Sequence, residues 1–98
     1  MTEQELLNKV IFSTQNHFMR SSTLNEAFQS AEEISTTVGP YNVHYDDFAQ
    51  DDRAFLTVKL GDQTVVEAFK THKTVNGQFL DDWGTVDRTL ALQYLSTL

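Results

Sequence analysis

A chain of 98 residues with 14 acidic and 7 basic side chains reads as one small acidic domain, 1–98. Its 40% hydrophobic and 11% aromatic content suffices for a core, and the absence of cysteine excludes disulfides, thiolate metal sites and cysteine nucleophiles. A formal charge of −7 argues against direct contact with nucleic acid or an anionic membrane, because both depend on clustered Lys and Arg.

The opening stretch MTEQELLNKV carries acids where a signal peptide has a basic region and an apolar run. No apolar stretch approaches the roughly 20 residues that span a bilayer. A soluble, cytoplasmic protein is the expectation, and the missing cysteines fit a reducing compartment. Acids and bases number five and two over residues 1–40, five and two over 41–62, and four and three over 63–98. So even a spread weakens any reading as an acidic tail or an imitation of nucleic-acid charge.

Two helices come first. Thr2 and Glu5 have capping-box spacing, and Leu7, Val10, Ile11, Thr14 and Phe18 follow a helical stripe. Arg20-Ser21-Ser22 is a short break. Thr23 and Glu26 repeat the box, and Leu24, Ala27, Phe28, Ala31, Ile34 and Val38 form a second stripe. Gly39-Pro40 reads as the stop of that helix, so the two make a helical hairpin.

From Tyr41 the period changes to two, and strands are expected over 41–46, 53–60 and 63–72. Gly61-Asp62 suits a two-residue hairpin turn with Leu60 facing Gln63, which sets Val58 against Val65, Leu56 against Glu67 and Ala54 against Phe69. Placing Asp46 opposite Arg53 gathers the apolar alternates on one face and leaves a loop from Asp47 to Asp52. Asn76-Gly77 is a further turn signal, and residues 78–83 form either a short fourth strand or a loop. Thr85 then caps a last helix whose Val86, Leu90, Ala91, Tyr94, Leu95 and Leu98 share a face. The order ααβββα describes an α+β domain with helices on one face of an antiparallel meander.

The most acidic run is YDDFAQDDR, from Tyr45 to Arg53. Its adjacent aspartate pairs lack the alternate ligands, central Gly and distal Glu of an EF-hand loop. The run reads as a solvated hairpin loop in which Asp47, Asp51 and Asp52 can also meet a basic partner, with Phe48 as a core plug or an exposed anchor. Glu67 breaks the apolar pattern: the expected register puts it on the inner face, near Tyr41 and Tyr45, with Lys9, His17 or Arg20 as helix-borne partners. It is either a satisfied core acid or the polar group of a sheet–helix pocket.

His17, His44 and His72 are separated and lack metal-ligand spacing, so no metal site and no cofactor is expected. His44 and His72 are read as surface residues of the polar sheet face. No G-x-S-x-G, P-loop or dinucleotide fingerprint occurs. Asp81, Asp82 and Trp83 form a second acidic–aromatic cluster, with Trp83 expected at the end of the core. On the outer face Phe55, Val66 and Ala68 form an apolar island, compatible with a partner or homodimer contact.

These readings favour a non-enzymatic interaction module, of regulator or inhibitor type, that binds a partner protein through Asp47, Phe48, Asp51, Asp52, Phe55 and Val66. The alternative is a small-molecule binder or weak enzyme with a pocket at Tyr41, Tyr45 and Glu67.

Overall fold

A computed structural model describes residues 1–30, 33–48, 53–70 and 82–98. Helix α1 runs Glu3–Arg20 from an N-cap at Thr2, whose Oγ1 accepts the Glu5 backbone N–H at 3.1 Å. The Thr2 hydroxyl in turn donates to Glu5 Oε1 at 3.2 Å, which joins the two ends of the expected box. Ser21 then serves two helices. Its N–H bonds His17 O at the end of α1, and its Oγ accepts the Leu24 N–H at 3.4 Å at the start of α2, Ser22–Ser30. The expected cap Thr23 is inside α2 instead.

The second helix stops well short of Val38. Glu33–Val38 is strand β1, with Ile34 and Val38 buried and Glu33, Ser35 and Thr37 exposed. Four of its last five residues are β-branched (Ile34, Thr36, Thr37, Val38), which are stiff in a helix and suited to a pleated surface. Gly39-Pro40 is accordingly a hairpin turn rather than a helix stop. Gly39 has φ +57°, a conformation that strains any residue with a Cβ, and Pro supplies the negative φ of the next position in a II′ turn.

Strands β2 (Tyr41–Phe48), β3 (Arg53–Leu60), β4 (Gln63–Lys70) and β5 (Asp82–Val86) continue the meander, so the antiparallel sheet has the order β1-β2-β3-β4-β5. The β2–β3 register differs from expectation by two residues. Tyr45 pairs with Leu56, Val43 with Val58 and Tyr41 with Leu60, while Arg53 faces Phe48 rather than Asp46. A two-residue shift keeps the face of every side chain and lengthens the ladder.

The β3–β4 pairing departs more sharply. It runs Leu60↔Gln63 and Lys59↔Thr64, then jumps to Val58↔Val66, leaving Val65 as an extra residue. Beyond this bulge, faces are exchanged relative to the expected register: Glu67 pairs with Thr57 on the outer face, and Ala68 pairs with Leu56 inside. The energetics favour this. An unpaired carboxylate inside the core costs several kcal/mol, whereas the bulge buries Val65 and Val66 together, each worth about 1.5–3 kcal/mol. The expected outer island of Phe55, Val66 and Ala68 is thereby dissolved, since Val66 and Ala68 are core residues.

The last helix, α3, spans Arg88–Thr97 and is capped by Asp87, whose Oδ1 accepts the Leu90 N–H at 3.0 Å. Thr85 belongs to β5 and faces Glu67. All three helices pack on the sheet face that carries Ile34, Val43, Tyr45, Leu56, Val58 and Val66. Phe18 and Phe28 meet Tyr45 there, and Tyr41 meets Tyr94 edge to face at 5.2 Å. No helix of the described residues is long and apolar enough to cross a membrane.

Candidate functional site

The sheet face opposite the helices carries Glu33 and Ser35 from β1, His44 and Asp46 from β2, Phe55, Thr57 and Lys59 from β3, and Glu67 and Phe69 from β4. Among the described residues no helix packs over it. Two features stand out on this face.

The first is aromatic. Phe55 and Phe69 are cross-strand partners with ring centroids 5.6 Å apart and planes at 70°, both half-buried. Such a pair adds about 0.5–1.5 kcal/mol beyond its area, and it exists because the bulge turned Phe69 outward. The pair sits at the end of the sheet where Asp46 faces Phe55.

The second is a polar chain around His44. Ser35 faces His44 and Glu33 faces Asp46 across the first hairpin. Ser35 Oγ lies 2.9 Å from His44 Nδ1, and Asp46 Oδ2 lies 3.4 Å from His44 Nε2. Glu33 Oε1 stands 3.8 Å from Nδ1. Asp46 is largely buried at 14% side-chain exposure, and its Oδ1 makes no hydrogen bond among the described residues. Beside this chain Ser35, Thr37, Asn42, His44, Thr57 and Lys59 line a shallow open depression of about 630 Å³.

The expected sites fare unequally. Phe55 is on the outer face as read, and Val66 is not. Asp47 and Phe48 belong to β2, while Asp51 and Asp52, like Asp81, His72, the end of the strand expected to reach residue 72 and the Asn76-Gly77 turn, lie outside the described residues. Asp82 and Trp83 lie in β5, with Trp83 paired to Phe69. The pocket of Tyr41, Tyr45 and Glu67 is not assembled: the tyrosines are buried on the helix side, where Gln15 donates to the Tyr45 hydroxyl, and Glu67 is on the other face. Lys9, His17 and Arg20 on α1 therefore cannot serve Glu67 through the sheet.

Sequence reasoning missed the grouping of Glu33, Ser35, His44 and Asp46. The signal was present, because a Gly-Pro hairpin turn sets E-x-S against H-x-D two by two. Comparison with protein-family models, with curated proteins and with solved structures gives no match for this chain.

Proposed function

We propose that this protein is a non-enzymatic binding module that engages a partner protein through the open face of its sheet. The observation that carries this reading is the Phe55–Phe69 pair on a face over which no helix of the described residues packs, since half-buried aromatics among polar groups are what interface centres are made of. Glu33, Asp46 and Glu67 outnumber Lys59 on the same face, which favours a partner with a basic surface. The 46–53 run adds three further aspartates that follow Asp46 in the sequence.

The test compares three immobilised proteins at low and high salt: wild type, Phe55→Ser with Phe69→Ser, and the helix-side control Leu92→Ser. A host protein retained by the wild type and the control at low salt, and released by the double substitution, supports the reading. Equal retention by all three overturns it.

A further inference from the structure

We propose that Glu33, His44 and Asp46 form a binding site for a first-row divalent cation, with Zn²⁺ as the best-fitting ion. One ligand atom from each of the three residues falls within 4.8 Å of the other two. Sequence spacing hides the site, because Glu33 is 11 positions from His44 and meets it only through the β1–β2 pairing.

Four observations converge on a cation. Glu33 and Asp46 are direct cross-strand partners, and like charges in that relation repel. Among the described residues the only cationic type of side chain either one meets is His44. A bound dication turns the repulsion into shared attraction. The Nε2–Oδ2 distance of 3.4 Å between His44 and Asp46 is the second observation. Two donors at about 2.0–2.2 Å from a tetrahedral ion stand about 3.4 Å apart, so this edge is already set. The third is Ser35, whose Oγ lies 2.9 Å from Nδ1. With Nδ1–H donating to that hydroxyl, Nε2 is left with its lone pair toward the ion, the usual outer support of a ligating histidine. Finally, Asp46 Oδ1 is buried without a hydrogen-bond partner among the described residues, so the carboxylate lacks a compensating contact that a cation held by Oδ2 supplies.

Glu33 Oε1 stands on the Nδ1 side of the ring, and at 60% side-chain exposure on the sheet edge it must turn toward Nε2 to close the third corner. One imidazole and two carboxylates select a borderline ion such as Zn²⁺ over Mg²⁺ or Ca²⁺, which prefer oxygen alone. Three protein ligands leave a fourth position to water, toward the depression that Ser35 and His44 line. This site stands independently of the partner reading, because the metal alone tests it.

Calorimetric titration of the full chain with ZnCl₂ in a non-coordinating buffer at neutral pH should give one site of micromolar affinity, with Mg²⁺ at least a hundredfold weaker. His44→Ala and Asp46→Asn should each weaken it by tenfold or more, and Ser35→Ala by about tenfold through the lost support of Nδ1. His17→Ala, on the far side of the sheet, should leave it unchanged. Should a variant fail to fold, the wild-type imidazole resonances of His44 carry the test, since they must shift with Zn²⁺ at one equivalent. No stoichiometric binding, equal binding after His44→Ala, or unmoved His44 resonances would overturn the proposal.

Discussion

The hydroxyls of Thr14 and Tyr94 lie 2.9 Å apart with both residues fully buried, tying the middle of α1 to α3 across 80 positions of chain. Tyr94→Phe removes one partner and strands the other, so urea denaturation should register a loss of about 1–3 kcal/mol. Burial pushes the Tyr94 phenol above its ordinary 10.0, and the Thr14 hydrogen bond partly opposes that rise. A folded value above the unfolded one means that this contribution is fully present below pH 10.0 and is lost as pH climbs through the raised value. Stability measured across the alkaline range should therefore fall for the wild type and fall less for Tyr94→Phe.

The bulge at Val65 makes opposite forecasts for two adjacent residues. Glu67 faces Thr57 and Thr85 outside, so Glu67→Gln should change stability by no more than about 0.5 kcal/mol. Ala68 is 1% exposed beside Leu56, and Ala68→Glu should cost about 4 kcal/mol or prevent folding. The reverse pattern in chemical denaturation would restore the unbulged register.

At Gly84 the backbone of β5 leaves no room for a side chain against β4. A Cβ there would stand 2.4 Å from the Glu67 carbonyl oxygen and 3.1 Å from Ala68 Cα, and both are backbone atoms that cannot swing aside. Gly84→Ala should destabilise by about 1–3 kcal/mol. Amide exchange should accelerate in β5 and in its partner residues of β4 while the β1–β2 hairpin keeps its protection, and an unchanged melting temperature would count against this close approach.

Helix caps offer an internally controlled comparison. Thr2→Ala and Asp87→Ala each remove a side chain that accepts a first-turn N–H, and each should cost about 0.5–2 kcal/mol in thermal or urea unfolding. Thr23→Ala lies exposed within α2 and should stay within about 0.5 kcal/mol. Were Thr23→Ala the costliest of the three, the start of α2 would need to be moved.

The elements legible in the sequence were those whose pattern admits one period. α1 with its cap, the alternation of β2 to β4, the Gly61-Asp62 turn and the apolar side of α3 all follow from residues a few positions apart. β1 was illegible because Ile34 and Val38, four apart, satisfy a helix and a strand alike, and Gly39-Pro40 serves a helix stop as readily as a hairpin turn. That one ambiguity hid the Glu33–Asp46 and Ser35–His44 pairs. The bulge was signalled by Glu67 itself. With the two-residue Gly61-Asp62 turn held fixed, only an extra residue in β4 keeps this carboxylate out of the core, whereas the unbulged register leaves it as a satisfied core acid or the polar group of a pocket.

Because each strand pairs with its neighbour in the chain, nearly all of the sheet assembles through short loop closures, and the meander has low contact order. The exception is α1, which packs against β5 and α3 at the far end of the chain. Bringing it there closes a loop of most of the protein, at an entropy cost offset by the burial of α1 residues such as Leu6, Val10 and Ile11 and by the Thr14–Tyr94 hydrogen bond. The hairpins should therefore gather first and the N-terminal helix should dock late. Leu6→Ala would then raise the unfolding rate while leaving the folding rate nearly untouched.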